Sequence, residues 1–300
     1  MKSNILIIKL GALGDVLRTT SLLRVLSGNI FWVTAKDPLP LLPTDKLKVV
    51  EINKASEVLK GFFFDLILCL DDDYEAASLA TILKKKMLIG SYIDDNNSLT
   101  YTDSSREWFD MGLISRLGKE KADTIKKANK KNYQEIIFRM CGKKFNEEEY
   151  LLNQNLLKPR KQESRTIIGI EARAGNRWPM KQWNKWQELA NTLEADGCEV
   201  RFFRQRQRIA DYAQDINECD LVICGDTLAM HIALSLRKRI VAIFICTSPT
   251  EIYDYGRMIK TTSPFLKRVF YRRDYIPEAV GAISVKTVYQ AVRDSLSHVK

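Results

Sequence analysis

The chain of 300 residues is poor in histidine and has no paired cysteines. It has two histidines, His231 and His298, and six scattered cysteines, none of which forms a C-x-x-C pair. Zinc sites need three or four closely spaced Cys, His or acidic ligands, and disulfide-stabilised domains are dense in cysteine. We therefore predict no metal site, and we expect the cysteines to be reduced, buried, small apolar residues.

Long apolar runs, internal repeats and low-complexity segments are also missing. No run approaches the ~20 apolar residues that a membrane-spanning helix needs. The N-terminus leads directly into a strand-like run without a cleavage pattern, so we expect no signal peptide and a cytoplasmic protein. A length of 300 residues with 45% hydrophobic content fits two domains of about 150 residues each.

Positive charge is in excess, with a formal net charge of +10. This charge favours an anionic partner, such as a phosphorylated sugar, a nucleotide, a lipid headgroup or nucleic acid. Basic residues cluster at 84–86, 119–131, 204–208 and 267–273. Taken singly, each cluster is more typical of a solvated face than of a binding surface.

Strands and helices alternate in both halves of the chain. In the first half the pattern predicts strands at 5–8, 30–34, 49–52, 65–70 and 86–89, and helices at 16–26 and 75–85. In the second half it predicts strands at 166–170, 199–203, 221–224 and 240–245, and helices at 182–195, 209–216, 228–236 and 285–296. Such alternation predicts doubly wound parallel sheets. A polar stretch at 156–163 is the predicted linker.

A glycine-containing loop follows the first strand. Gly11 and Gly14 would let the backbone turn sharply and leave room for a ligand. Asp15 then lies at or near the N-terminus of a helix, where it can cap free N–H groups or act as a base. Ligands of open α/β sheets bind beyond the carboxyl ends of the strands, where this loop lies. The sequence leaves both roles of Asp15 open.

A second loop, which contains Gly175, lies between the strand 166–170 and the helix 182–195. Gly175 would permit close approach of the backbone to a ligand. Lys181 is expected at the start of the helix, where the dipole already favours anions. A lysine at that place therefore indicates an anionic partner such as phosphate. The alternative is a simply exposed lysine.

Polar residues also follow the next two strands of the second half. Asp226 and Thr227 could cap the following helix or bind a sugar or phosphate. His231 lies one turn further on the same helix face, and the alternative for it is a buried core histidine. Thr247 and Ser248 end the next strand with hydroxyl and N–H groups. Because the carboxyl ends of parallel strands meet at one edge, we expect these loops to converge.

Together these segments resemble the family 9 glycosyltransferases, the bacterial heptosyltransferase group. The resemblance is carried by ILIIKLGALGDVLRTTSLL at 5–23, GNRWPMKQW at 175–183, CDLVICGDTLAMHIALSL at 219–236 and IVAIFICTSPTEIYDYG at 240–256. It extends over most of residues 1–260, and the order and spacing of the motifs make it fairly specific.

The resemblance implies a GT-B fold, in which two Rossmann-like doubly wound domains face a central cleft. Residues 1–157 would bind the acceptor, and residues 158–300, with the closing helix 285–296, would bind the sugar nucleotide. The implied reaction is inverting transfer of a sugar, often heptose from ADP-heptose, to a lipopolysaccharide core or another anionic glycan or glycolipid. It needs no cofactor and no catalytic metal. We expect peripheral contact with the inner face of an anionic membrane, and no nucleic acid as partner.

The resemblance also implies roles for individual residues. Asp15 would be the general base, and Lys181 would hold the donor phosphates. Asp226 and Thr227 would contact the donor sugar and phosphates, with His231 beside them. The hydroxyl groups of the loop at 247–248 complete the predicted donor site.

The chain departs from the family pattern at several places. Leu228 stands where the family usually has glycine, and Ile245 and Cys246 stand where Gly-Pro is usual. The stretch 203–219 is short, whereas family members usually have an extra glycine-rich βα unit there with an acidic residue that recognises the nucleoside. Two alternatives therefore stay open: another two-domain Rossmann sugar-nucleotide enzyme of the epimerase type, or an inactive homologue that acts as a basic binding protein.

Overall fold

The computed structural model describes residues 2–160 and 164–297. The chain divides into two compact units, Met1–Asn153 and Gln154–Lys300, so the division falls a few residues before the expected boundary at 157. The predicted linker begins in a 3₁₀ turn, Gln154–Leu156, and its last residues, 161–163, lie outside the described residues. The acceptor and donor roles of the two units stay predictions.

The first unit contains eight strands and six α-helices in its described residues. The strands are β1 (Asn4–Ile8), β2 (Asn29–Thr34), β3 (Lys48–Glu51), β4 (Phe63–Phe64), β5 (Leu66–Cys69), β6 (Lys84–Lys85), β7 (Leu88–Ile93) and β8 (Leu99–Tyr101). The helices are α1 (Leu13–Thr19), α2 (Ile52–Val58), α3 (Tyr74–Ile82), α4 (Arg106–Phe109), α5 (Lys119–Ala128) and α6 (Tyr133–Met140).

Six of these strands form one sheet in the order β3-β2-β1-β5-β7-β8. All neighbours are parallel except β7 and β8, which are antiparallel. Successive side chains of a strand point to opposite faces. Ile7 accordingly packs in one core cluster, while Leu6 and Ile8 pack in another on the opposite face. Both faces of the sheet are covered, which explains why β1 is apolar from Ile5 to Ile8.

The second unit contains five strands and six α-helices in its described residues. The strands are β9 (Ile167–Glu171), β10 (Glu199–Phe202), β11 (Leu221–Gly225), β12 (Arg239–Phe244) and β13 (Met258–Thr262). The helices are α7 (Trp186–Ala195), α8 (Ile209–Asn217), α9 (Leu228–Ser235), α10 (Leu266–Val269), α11 (Pro277–Val280) and α12 (Val285–Ser297).

All five strands of the second unit are parallel, in the order β10-β9-β11-β12-β13. The strand β10 is an edge strand, and the chain passes from it through α8 directly to β11. The extra βα unit that the sequence lacks is therefore also missing from this sheet. The prediction of two doubly wound, Rossmann-like units is confirmed.

Several predicted helix bounds are wrong for identifiable reasons. The helix expected at 16–26 is α1 followed by a 3₁₀ helix, Thr20–Arg24. The hydroxyl groups of Thr20 and Ser21 bond to backbone carbonyls three residues earlier, and such bonds compete with helical ones. The helix expected at 75–85 ends at Ile82, because the next residues form β6, which pairs with β4.

Gly90 has a conformation that no other residue can adopt without a clash. Its φ is +116°, and an added Cβ would lie 1.8 Å from the carbonyl oxygen of Cys69 on the neighbouring strand. We predict that Gly90→Ala lowers the free energy of unfolding by more than about 3 kcal/mol, from strain plus forced separation of β5 and β7. Urea unfolding monitored by circular dichroism measures it.

Gly61→Ala is the matched control, because Gly61 also has a positive φ, +87°, but has no atom near the added Cβ. It should cost only the backbone strain, about 1–2 kcal/mol. Equal losses in the two variants would show that the close approach of Gly90 to β5 has no energetic weight.

Candidate functional site

Asp15 lies in the first turn of α1, directly beyond the carboxyl end of β1. Its Oδ1 atom is 2.9 Å from Nη2 of Arg18, one turn further along the helix. The N-cap position is Ala12, and that cap has no side-chain hydrogen bond. The carboxylate is therefore placed by an ion pair, and 37% of its side chain stays exposed. This exposure is what a group that meets a substrate requires.

Aromatic side chains hold the partner of Asp15. The guanidinium carbon of Arg18 lies 3.8 Å from the ring centroid of Tyr133 and 5.7 Å from that of Trp108. Tyr133 shares a hydrogen bond of 2.7 Å with the hydroxyl of Thr19, which donates to the carbonyl of Asp15. Residues of α1, α4 and α6 thus hold the backbone of Asp15 and the guanidinium group of Arg18 in place.

A buried ion pair between Lys9 and Asp71 lies beside this loop and was not predicted. Nζ of Lys9 lies 2.7 Å from Oδ1 of Asp71, and the other carboxylate oxygen accepts a hydrogen bond from the backbone of Leu10. Burial opposes the charge of Lys9, but the charges of Asp71 and Asp15 outweigh it and raise the pKa of Lys9. A lysine directly after an apolar strand, and an aspartate after the next strand in the sheet, were the available signal.

The two glycines of the first loop differ from the prediction. Gly14 is not in the loop but is a buried residue of α1. Gly11 precedes the helix, and an added Cβ there would have no atom within 4 Å. The protein therefore leaves open space beside Gly11, whereas Gly14 is buried within α1.

In the second unit, Lys181 and Asp226 form a largely buried ion pair. Nζ of Lys181 donates to the backbone carbonyl of Asp226 at 2.6 Å and to Oδ2 at 2.8 Å. The expected helix start is wrong: Lys181 ends a 3₁₀ turn, Pro179–Lys181, and α7 begins only at Trp186. Lys181 is therefore held by Asp226 and not by a helix N-terminus.

The charge state of Asp226 is set by its neighbours. Burial alone would raise its pKa, but the charges of Lys181 and His231, with hydrogen bonds from Lys181 and Thr247, hold the pKa of Asp226 well below its ordinary value. The structure therefore brings together the predicted residues Lys181, Asp226, His231 and Thr247. His231 is itself buried in α9, as the core-histidine alternative proposed, yet it lies near enough to act on Asp226.

Neither Asp226 nor Thr227 caps α9 through its side chain. Asp226 bonds to Lys181, and Thr227, although at the N-cap position, makes no capping hydrogen bond. The Thr227 hydroxyl oxygen is buried and has no hydrogen-bond partner in the structure. A buried hydroxyl without a partner is costly in a folded protein. This hydroxyl at the start of α9 therefore has hydrogen-bonding capacity that the described residues do not use.

The remaining predicted loop residues have smaller roles in the geometry. Ser248 is buried beside Thr247, and among the described contacts no side-chain hydrogen bond joins it to the ion pair. Gly175 is exposed, and an added Cβ would meet no atom within 4 Å. No protein atom therefore requires glycine at position 175, and close approach of a ligand to its backbone stays a prediction.

The ring of Trp178 lies beside the ion pair and was not predicted as part of the site. The ring centroid of Trp178 lies 5.8 Å from Nζ of Lys181 and 5.6 Å from the guanidinium carbon of Arg273. Tyr271 packs edge-on against the same ring at 5.7 Å. Arg273 appeared in the sequence only as one member of the basic cluster 267–273. The structure brings its charge to the ring that also faces Lys181.

A second buried acid, Glu171, ends β9. Arg173 donates to it from its backbone N–H at 2.9 Å and from Nη2 at 2.7 Å, and the hydroxyl of Tyr212 also donates to it. Burial, together with the charge of Glu171, raises the pKa of Tyr212. This cluster fixes the first residues of the loop that leads to Trp178.

No group of three or more His, Cys, Asp or Glu side chains in the described residues could hold a metal ion. Four cysteines, Cys69, Cys219, Cys224 and Cys246, are buried, and all six are free. Across residues 2–160 and 164–297, no helix has the length and apolar character of a membrane span.

Two doubly wound units with polar loops at the carboxyl ends of their strands are typical of nucleotide-binding α/β proteins. Comparison with known proteins shows which nucleotide-binding α/β proteins the chain is similar to. The model of glycosyltransferase family 9 (heptosyltransferase) matches residues 206–265, which include Asp226, His231 and Thr247. No curated protein matches the chain.

Solved structures with the same fold extend over nearly the whole chain. A family 9 glycosyltransferase from Veillonella parvula is 16% identical with a TM-score of 0.66, covering 99% of this chain and 98% of its own. The E. coli heptosyltransferase WaaC with ADP is 14% identical with a TM-score of 0.66, and the match covers 97% of this chain and 99% of WaaC. E. coli ADP-heptose lipopolysaccharide heptosyltransferase II is 15% identical with a TM-score of 0.63, and the match covers 99% of this chain and 98% of that enzyme.

These findings confirm the predicted GT-B fold and the predicted resemblance to the heptosyltransferase group of family 9. They support the classification of the chain as a glycosyltransferase. At such identities the structural likeness establishes the fold, and the site residues rest on the geometry described above.

The Lys181–Asp226 ion pair should contribute to the free energy of unfolding. We expect Lys181→Met to lower the free energy of unfolding at pH 7 by about 3–5 kcal/mol, because it removes the ammonium partner of a buried carboxylate. In the native protein the depressed pKa of Asp226 stabilises the fold above its unfolded pKa of about 3.9, and this contribution is lost as the pH falls.

In the variant, burial instead raises the pKa of Asp226, so acid relieves the penalty and the difference from the native protein shrinks between pH 7 and pH 4. Arg208→Met, which removes an exposed pair with Asp211, is the control and should cost at most about 1 kcal/mol at any pH. A Lys181→Met loss no larger than that of the control, as measured by urea unfolding, would contradict a stabilising role for the buried pair.

Proposed function

We propose that the chain is an inverting glycosyltransferase that moves a heptose-like sugar from a nucleotide donor, ADP-heptose or similar, to an anionic glycan or glycolipid acceptor. The observation that carries this proposal is the cluster of Lys181, Asp226, Thr227 and Thr247 at the carboxyl ends of neighbouring parallel strands. The family match over residues 206–265 includes three of these four residues. One solved relative of the same fold is described with bound ADP.

The second unit would bind the donor. A diphosphate needs hydrogen-bond donors and positive charge, and helix N-termini supply the former through free N–H groups. The unpaired Thr227 hydroxyl and the N-terminal amides of α9 directly follow Asp226, whose backbone carbonyl accepts a hydrogen bond from the Lys181 ammonium. Because Asp226 balances the charge of Lys181, Arg273 at the Trp178 ring is proposed to add the positive charge that the leaving diphosphate requires.

Asp15 would act as the general base in the first unit. It removes the proton of an acceptor hydroxyl as the oxygen attacks the anomeric carbon of the donor sugar, and the bond to the nucleoside diphosphate breaks on the opposite side. A single displacement of this kind inverts the anomeric centre.

We further propose a cytoplasmic protein that contacts the inner membrane face peripherally, as expected for a glycolipid acceptor. No specific observation favours the alternatives of an epimerase-type enzyme or an inactive basic binding protein. The missing βα unit beside β10 bears on which nucleoside is recognised, since the residues that would recognise it must then come from other segments.

The function is tested by incubation of the purified chain with ADP-heptose, with and without a deacylated lipopolysaccharide-core acceptor. We expect ADP release that depends on the acceptor, and a product with an inverted anomeric centre by NMR. The same release without acceptor, or epimerised donor, would refute the proposal in favour of a hydrolase or an epimerase. Stabilisation of melting by ADP-heptose over UDP-, GDP- and CMP-sugars tests the nucleotide separately.

Asp15→Asn tests the proposed base. The amide keeps the shape of the side chain but cannot accept the proton, so we expect turnover to fall by about 10²–10⁴-fold. Donor affinity by calorimetry should stay unchanged, since Asp15 and the donor loops belong to different units. The control Asp103→Asn removes an exposed pair with Arg116 in the same unit and should leave turnover intact. Near-normal turnover of Asp15→Asn would leave Asp15 a structural partner of Arg18 only.

A further inference from the structure

Exposed apolar side chains are concentrated on one part of the first unit. Five of the ten exposed large hydrophobic residues in the described chain are Val58, Phe62, Phe63, Ile82 and Met87, and we call these five the apolar patch. Single exposed apolar residues are normal on protein surfaces, but a concentration of them marks an interaction site.

Local structure explains why the patch residues lie together. The short strands β4 and β6 pair in parallel, with Phe63 opposite Lys84. The ring of Phe62 packs edge-on against Phe31 with centroids 5.1 Å apart. The helices α2 and α3, which end next to these strands, share one core cluster beneath them. The segments that carry the patch are therefore packed on the hydrophobic core of the first unit.

This surface lies away from the candidate site. The strand β4 precedes β5, and α2 and α3 end at the amino-terminal side of the sheet, whereas Asp15 and Asp71 follow the carboxyl ends of β1 and β5. Changes in the patch can therefore be made without touching the residues around Asp15.

Lysines accompany the patch. Lys60, Lys84 and Lys86 are exposed, while Lys85 turns inward and donates to the carbonyls of Thr81 and Leu83 at the end of α3. Burial lowers the pKa of Lys85, so this member of the 84–86 cluster is structural. The three exposed lysines give the rim of the patch positive charge, while Glu57 is an exposed acidic neighbour and Asp65 interacts electrostatically with Lys86.

We propose that the apolar patch with Lys60, Lys84 and Lys86 docks the protein on an anionic lipid bilayer. The apolar side chains would enter the boundary between headgroups and acyl chains, and the lysines would contact anionic headgroups. Charge complementarity selects this occupant, because a second copy of the chain would bring two lysine rims together. The inference rests on the proposed function only in that a glycolipid acceptor would place the enzyme at a membrane surface.

The lysine-rich segment around α5 is the other surface of this unit that could contact an anionic bilayer. Leu113 and Leu117 are exposed before α5, and lysines follow along that helix. Part of this charge is already balanced, since Lys119 pairs with Asp123 at 2.6 Å and Lys131 pairs with Glu107. With two exposed apolar residues instead of five, this segment provides the matched control.

The test is sedimentation of the full chain with vesicles of phosphatidylcholine, with and without phosphatidylglycerol. We expect binding that needs phosphatidylglycerol. Lys84→Glu/Lys86→Glu should lower the partition coefficient at least about 25-fold, from a factor of about five per lysine near the surface. Phe63→Ser/Ile82→Ser should lower it by at least about 10-fold through lost apolar burial. Both variants should keep the native melting temperature to within a few degrees.

The control variants Leu113→Ser/Leu117→Ser and Lys121→Glu/Lys127→Glu should bind vesicles as the native chain does. Loss of binding in these variants instead of the patch variants, or equal binding to neutral vesicles, would overturn the proposal. Absence of vesicle binding, with a dimer that Phe63→Ser/Ile82→Ser abolishes in sedimentation equilibrium, would assign the patch to self-association.

ADP-heptose affinity is measured on the same proteins, so that the two proposals fail separately. Donor binding without vesicle binding would refute the docking surface and leave the proposed function standing. Vesicle binding that depends on the patch, without donor binding, would refute the proposed function and leave the docking surface standing.

Discussion

The buried ion pair between Lys181 and Asp226 determines how the candidate donor site is assembled. It joins the 3₁₀ turn after β9 to the end of β11, across 45 positions of sequence. Gly225 allows this contact, because an added Cβ would lie 3.2 Å from the carbonyl of Lys181. A hydrogen bond from Thr247 adds the loop after β12. Since an unpaired buried charge is costly, each partner requires the other, and the three loops stay together.

Much of this arrangement could be predicted from the sequence. Apolar runs such as 5–8 and 221–224 identify strands covered on both faces, and polar residues directly after such strands must lie at one edge of a parallel sheet. Asp226 and Thr247 are near one another for this reason, as predicted. The periodicity of 285–296 correctly predicted the closing helix, observed as Val285–Ser297.

The rest depends on contacts between residues distant in sequence. Lys181 looked like a helix-start lysine because no local signal shows that Asp226 is its partner. Lys9 and Asp71, which are 62 positions apart, pair only because β1 and β5 are neighbours in the sheet. The end of α3 at Ile82 likewise depends on pairing of β6 with β4. Local propensity cannot foresee such long-range pairing, and for this reason the predicted helix start at 182 and the predicted helix end at 85 were wrong.

The short connection from β10 to β11 affects how a donor can be recognised. Two arginines near it are already paired, Arg206 with Asp215 and Arg208 with Asp211, so the basic appearance of 204–208 overstates the charge available to a ligand. The available positive charge and the unpaired hydroxyl lie instead at the Trp178 ring and at Thr227. We therefore expect donor affinity to come mainly from the diphosphate and the sugar.

Hydrogen–deuterium exchange of the full chain with and without ADP-heptose tests most directly whether the donor site is built around Lys181 and Asp226. We predict slowed exchange of backbone amides at 175–182, 226–231 and 246–248, with little change at 204–208. Protection confined to 204–208 or to the first unit, or no protection by ADP-heptose at a concentration that saturates any measured binding, would contradict a donor site at this ion pair.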